Sequence, residues 1–235
     1  MNIFGLQKMT LLDFPGKVAC TVFLGGCNFR CPFCHNFELL GAEAQPVMDD
    51  EKLLAFLKQR QGLLDGVCIT GGEPTLQPGL PQLLERIKVL GYPVKLDTNG
   101  YRPDVLRSLV ENKLVDYVAM DIKNGPRQYA ATAGLPALKL ERIEESIRFL
   151  LEGTVDYEFR TTVVDPLHDE ASITAMAQWL EDISRGIKAR RFFLQPFVDR
   201  DTVPFSNFAS PKPHQLQRYL GILSTFAEQI QLRGT

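Results

Sequence analysis

Apolar, β-branched runs alternate with helix-spaced leucines along most of the chain. The run Val18-Ala19-Cys20-Thr21-Val22-Phe23-Leu24, ended by Gly25-Gly26, predicts a buried strand. Leu53, Leu54 and Leu57 follow at helical spacing, behind the capping candidates Asp49 and Asp50. A second strand over 66–70 runs into Gly71-Gly72-Glu73-Pro74. Leu80, Leu83, Leu84, Ile87 and Leu90 then mark one face of a helix that Gly91 stops. A third strand over 93–96 leads into Asp97-Thr98-Asn99-Gly100, and Pro103 opens a helix bearing Leu106, Leu109 and Val110. A fourth strand over 117–120 ends in Asp121-Ile122-Lys123. After a loop come a helix with Ile143, Ile147 and Leu150, a fifth strand over 157–164, and a helix with Ile173, Met176, Ala177 and Leu180. A sixth strand over 191–195, a helix over 216–226 and a strand-like tail at 230–232 complete the pattern.

Strands alternating with amphipathic helices imply βαβ units and a parallel sheet. After the sixth strand the chain has room for one helix and a tail, so the expected fold is α/β, a partial (β/α)6 TIM-like barrel of parallel strands. It is expected as a single domain over 1–235, with an N-terminal arm (1–17), the partial barrel (18–228) and a tail (229–235). The unusual polar motifs all fall at the C-terminal ends of predicted strands. In a parallel barrel those ends converge on one mouth, where active sites are built.

Composition narrows the function classes. Lys plus Arg number 26 against 28 Asp plus Glu, a net charge of -2, which argues against nucleic-acid binding through charge; the short basic stretch Lys188, Arg190, Arg191 reads as a solvated helix end. No apolar run reaches the length of a membrane span, and the first 17 residues carry Asp13 and Pro15 without a signal-peptide pattern. The expected location is the reducing cytoplasm, where a disulfide framework has little use.

Three of the five cysteines sit in Cys27-Asn28-Phe29-Arg30-Cys31-Pro32-Phe33-Cys34-His35-Asn36. Clustered thiols in such a chain suggest a metal. Three thiolates can hold three irons of a cubane cluster and leave the fourth open to substrate. The other reading is a closed zinc site that adds His35, Cys20 or Cys68, which would make the chain a zinc-binding interaction module. Cys20 and Cys68 otherwise read as core thiols, and His168 and His214 as surface loop residues. Asp121 and Lys123, two apart, share one face, and Arg160 inside the fifth strand requires a partner, either a ligand or Asp121.

The cysteine spacing, Phe33 before the third cysteine, and His35-Asn36 resemble the radical S-adenosylmethionine superfamily, and within it the glycyl-radical activating enzymes. Leu96-Asp97-Thr98-Asn99-Gly100 and Asp121-Ile122-Lys123 are similar to stretches of pyruvate formate-lyase activating enzyme. Asp13-Phe14-Pro15-Gly16-Lys17 and Glu158-Phe159-Arg160-Thr161-Thr162 are similar to the longer activating protein of anaerobic ribonucleoside-triphosphate reductase. The resemblance implies a partial barrel and a [4Fe-4S] cluster on Cys27, Cys31 and Cys34. It implies that Gly71, Gly72 and Glu73 take the amino group of S-adenosylmethionine and that Phe33 lies against its adenine. Asp97, Thr98, Asp121 and Lys123 would take its carboxylate, directly or through a monovalent cation, and Arg160 its carboxylate or ribose. The implied reaction is reductive cleavage of S-adenosylmethionine followed by hydrogen-atom removal from a glycine of a partner enzyme, with electrons from a flavodoxin- or ferredoxin-type donor. Residues 13–16 are implied to help hold the partner's glycine loop. A small-molecule substrate, as in deazaguanine-forming radical enzymes, is the alternative. One departure stands out: the pyruvate formate-lyase activase carries a cofactor-contacting histidine where this chain has Val198, with Gln195 as a candidate substitute.

Overall fold

The predicted strands lie side by side in one sheet. The computed structural model describes residues 1–234; Thr235, the last residue of the predicted tail, lies outside the described residues. In chain order the elements are β1 (Asn2–Ile3), β2 (Gly5–Thr10), β3 (Ala19–Leu24), β4 (Met48–Asp49), α1 (Asp50–Gln59), β5 (Gly66–Gly71), α2 (Leu80–Val89), β6 (Val94–Thr98) and α3 (Pro103–Glu111). They continue with β7 (Tyr117–Asp121), α4 (Pro126–Ala133), α5 (Leu140–Leu151), β8 (Asp156–Val163), α6 (Glu170–Ser184), β9 (Ala189–Pro196), α7 (Pro213–Leu223) and β10 (Ala227–Leu232).

The main sheet has the order β10-β9-β8-β7-β6-β5-β3-β2. From β3 to β10 every pairing is parallel, while β2 runs antiparallel to β3. β2 and β10 are the two ends of the sheet and do not pair, so the barrel stays open. Alternation along the strands sorts two faces. Cys20, Val22, Leu24, Val67, Ile69, Val94, Leu96, Val118, Met120, Phe159, Phe192 and Leu194 join the buried faces of the helices in one apolar layer. The intervening residues face the hollow of the partial barrel, and there the chain is polar: Thr21, Cys68, Lys95, Asp97, Asp121, Glu158 and Arg160.

Three parts of the reading change. The arm is not a plain lead-in, since β2 extends the sheet by one strand. The tail begins earlier than expected and, as β10, is a seventh parallel strand against β9. The loop before the Ile143 helix contains α4, which carries no apolar repeat.

Residues 13–16 lie at the opposite end of the strands from the cysteine loop. Phe14 packs on Tyr117, the first residue of β7, with ring centroids 6.0 Å apart, and the Asp13 carboxylate accepts from Thr21 Oγ1 at 2.5 Å. Lys17 covers the Phe14 ring at 5.6 Å. This segment plugs the N-terminal end of the hollow.

Candidate active site

β3 delivers the cysteine loop at its C-terminal end. Cys27, Cys31 and Cys34 line one cavity of about 260 Å³ together with Phe33, Gly71, Gly72, Asp97, Thr98, Asp121, Lys123 and Arg160. Four loops distant in sequence thus meet as the strand-end pattern predicts. The loop rests on the C-terminus of α4: Arg30 N donates to Ala133 O at 2.9 Å, and Gly134 has no room for a side chain, because a Cβ there would stand 2.1 Å from Arg30 O. The Phe29 N–H points at Cys27 Sγ at 3.3 Å. Burial, then the nearby Glu73 carboxylate, pushes the Cys27 thiol up to about 12; burial pushes Cys31 to about 11. Without metal these groups are neutral thiols, and loading a metal releases protons.

The glycine pair lines the cavity and also has a packing role that the sequence did not announce. A Cβ on Gly72 would fall 1.9 Å from Gly26 O, and one on Gly71 would fall 2.3 Å from Leu24 O. Gly72 N donates to Leu24 O and Glu73 N to Gly26 O, both at 2.8 Å. In this structure the glycines therefore let the second loop lie directly on the cysteine loop. Glu73 does not line the cavity. Its carboxylate is buried and accepts from Thr75 N (3.1 Å), Thr75 Oγ1 (2.5 Å), Thr98 Oγ1 (2.7 Å) and Asn99 N (2.7 Å). It ties the second loop to the third. Burial raises Glu73 above the ordinary carboxylate range despite those bonds. Gly72→Ala is expected to displace the cysteine loop and to cost about 3 kcal/mol, a backbone clash that no rotamer relieves. Thermal melts should show that loss, and iron loading of the variant should fall with it; a wild-type melt would overturn the packing argument.

Asp97, Asp121, Lys123 and Arg160 form one ion-pair network with a member absent from the sequence reading, Lys95. Arg160 bridges the two carboxylates, reaching Asp97 Oδ2 at 3.2 Å and Asp121 Oδ1 at 3.0 Å. Lys123 takes Asp121 Oδ2 at 3.0 Å, and Lys95 takes Asp97 Oδ1. Burial alone would raise Asp121, but Lys123 and then Arg160 outweigh it and hold the carboxyl down at about 2. Asp97 is lowered in the same way by Arg160 and Lys95 against its burial. Deeper in the hollow Glu158 is clasped by Arg233, with Nη2 to Oε2 at 2.9 Å, and that guanidinium lies 3.5 Å from the Phe193 ring centroid.

Phe33 is buried, meets Phe208 edge-on at 6.4 Å and keeps one face on the cavity. Val198 is exposed and points away; it is the backbone carbonyl of Val198 that pairs with His35 Nε2 at 2.6 Å, and His35 stacks on Phe197 at 5.5 Å. Gln195 lines the cavity where Val198 does not. His168 corrects the surface-loop reading: it is 2% exposed, accepts from Val164 N through Nδ1 (3.1 Å) and bonds the Lys123 carbonyl through Nε2 (2.8 Å). Its imidazole thereby braces the backbone that carries Lys123. His214 is exposed, as expected, in the first turn of α7. Asn99 and Asn28 were also missed. Asn99 Nδ2 donates to Asn28 Oδ1 (2.9 Å) beside Cys27, and Asn28 Nδ2 is buried there without a protein partner.

The donor set suits an iron–sulfur cluster: three soft thiols on one wall of a cavity, with a backbone N–H and an unpartnered buried amide beside Cys27. It does not suit the zinc alternative. Among the described residues, none of the fourth ligands that a closed zinc site would need stands free beside the three cysteines. Cys20 lies in the apolar layer, Cys68 faces the hollow with its sulfur 3.9 Å from Lys95 Nζ, and His35 is tied to Val198. A monovalent cation fits poorly as well, because each carboxylate oxygen of Asp97 and Asp121 already has a cationic partner.

Comparison with known proteins agrees with this geometry. The Radical SAM superfamily profile matches residues 21–180. A Methanocaldococcus jannaschii protein, provisionally named a glycyl-radical enzyme activating enzyme, is 30% identical over 98% of this chain and 95% of its own length. The 7-carboxy-7-deazaguanine synthase of Thermococcus kodakarensis is 28% identical over 73% of this chain and 72% of its own. Among solved structures, a domain of pyruvate-formate lyase-activating enzyme from Bacteroides vulgatus superposes with a TM-score of 0.57 at 23% identity, covering 72% of this chain and 99% of that one; at that identity the likeness concerns the fold. The chain belongs to the radical SAM superfamily of enzymes.

Proposed function

We propose that this enzyme is a glycyl-radical activase, with a [4Fe-4S] cluster on Cys27, Cys31 and Cys34 and S-adenosylmethionine beside it. The observation that carries the reading is the single cavity in which three thiols face Lys123 and Arg160. When bound, the two cofactors supply one-electron cleavage of a sulfonium and removal of a hydrogen atom from the substrate. The chain's own part is placement. Lys123 and Arg160 attract the carboxylate of the ligand, with Asp97, Thr98 and Asp121 fixing their positions. The Gly71 and Gly72 backbone faces its amino group, Glu73 holds that loop through Thr98 and Asn99, and Phe33 offers a flat apolar wall for the adenine. Gln195 takes the place expected for a histidine.

The partner in this reading is anaerobic ribonucleoside-triphosphate reductase, with a flavodoxin- or ferredoxin-type electron donor. Pyruvate formate-lyase or another glycyl-radical enzyme is the near alternative. The match over most of the chain to a glycyl-radical activating relative supports a protein substrate. The parallel match to a deazaguanine synthase supports a second reading, a small-molecule substrate. All five cysteines are free, and no helix among the described residues is long and apolar enough to cross a membrane, which suits a reducing cytoplasm. The test is anaerobic: reconstituted, reduced protein is mixed with S-adenosylmethionine and the purified reductase. A glycyl-radical EPR signal on the reductase, with stoichiometric 5′-deoxyadenosine, is the expected result. Formation of 5′-deoxyadenosine with no radical on any glycyl-radical enzyme, and turnover of a deazaguanine precursor, would move the assignment to the second reading.

A further inference from the structure

Lys95 is the least expected residue of the site. It stands in the middle of β6, where a strand lysine normally faces solvent, yet it is 1% exposed. A buried ammonium is retained only when it is paired. Its partner is Asp97 Oδ1, and the other Asp97 oxygen belongs to Arg160. The groups facing it are the neutral Cys68 thiol from β5, and Glu158 and Arg160 from β8; Asp121 and Lys123 join the network through Arg160. Glu158 is itself neutralised by Arg233. In the ion-pair network that borders the cavity, therefore, three cations (Lys123 and Arg160 at its wall, Lys95 behind them) meet two carboxylates (Asp97, Asp121), a surplus of one positive charge.

A carboxylate pair facing an anionic ligand would repel it unless a cation intervened. Here the protein supplies that cation from its own sheet. The geometry points to Lys95 as a built-in counter-ion: a positioning residue that shares Asp97 with Arg160, leaves Arg160 and Lys123 a net positive charge toward the ligand carboxylate, and makes ligand binding independent of sodium or potassium. This inference rests on the proposed function only in taking S-adenosylmethionine as the ligand.

Cluster-loaded protein is titrated with S-adenosylmethionine, and binding is read from the change in the EPR spectrum of the reduced cluster. One series contains sodium and potassium; the other replaces both with choline, which is too large to sit between paired side chains. The wild-type dissociation constant is expected to agree between the series within about twofold. Lys95→Met is expected to bind at least about tenfold more weakly in choline, because Asp97 Oδ1 loses its cation and the network loses its positive surplus, and to regain affinity as sodium or potassium is added. Wild-type binding that weakens about tenfold in choline and saturates with added cation would overturn the inference, as would a Lys95→Met variant with unchanged affinity in both series. Should that variant fail to fold, the wild-type comparison decides alone. No spectral response to S-adenosylmethionine under either condition would instead sink the cofactor reading itself, and the inference with it.

Discussion

Cys27→Ala, Cys31→Ala and Cys34→Ala are each expected to abolish cluster assembly, with iron content and 5′-deoxyadenosine formation both falling to background. The expectation follows from where the remaining thiols lie. Cys20 and Cys68 are fully buried within strands, one in the apolar layer and one beside Lys95, so neither can swing over to replace a lost ligand. Two thiolates cannot hold a cubane that three must share. The fold should survive, because trimming a cysteine removes a single sulfur from a site that is partly open; a loss of about 1 kcal/mol is the expected cost. Iron analysis and the visible spectrum check the first claim, and thermal melts check the second. A fully loaded, active protein lacking any one of the three would remove the basis for the assignment.

Arg160→Met is expected to cost about 3 kcal/mol, the lower end for breaking a buried ion pair, since the 13% exposure of Arg160 admits some water. It leaves Asp97 and Asp121 facing each other without their bridge. The pH dependence separates this cause from lost packing. In the wild type Asp121 sits at about 2 against an ordinary 3.8, so its contribution is complete above 3.8 and fades as the pH falls through about 2. The stability gap between wild type and variant should therefore be widest near neutrality and close on acidification. A gap that is constant with pH would indicate lost packing alone. S-adenosylmethionine affinity should fall as well, because one of the two cations facing the cavity has gone.

Most of the sheet and its helices were legible because each strand reads as an apolar run and each principal helix repeats its leucines at one spacing. The elements that escaped lack such a signal. β2 (Gly5–Thr10) is a half-exposed edge strand with one buried residue, and β10 opens on Ala227-Glu228-Gln229, whose two polar side chains face solvent. α4 is short and rich in alanine, and it is buried between α6, where Tyr129 packs on Trp179, and the cysteine loop that it supports. At the site, the thiols, glycines and strand-end charges announced themselves through motif and position. Lys95 did not, because in Val94-Lys95-Leu96 alternation shows that it faces opposite the leucine but not that the opposite face is the inside of a barrel. His168 was hidden for a different reason: it lies in the loop between β8 and α6, where no periodicity reports burial. Glu73 was assigned to the ligand, whereas its inward turn and four hydrogen bonds depend on two neighbouring loops that strand periodicity does not describe.

The two faces of the strands have an evolutionary consequence. Adhesion between sheet and helices is encoded at one set of alternate positions, and the charges that meet a ligand are encoded at the other. Selection can rewrite the second set without disturbing the first, provided that the buried charges change as balanced sets. A lineage can thus exchange one substrate for another, protein loop or small metabolite, by changing a handful of hollow-facing side chains together while it inherits the same hydrophobic layer.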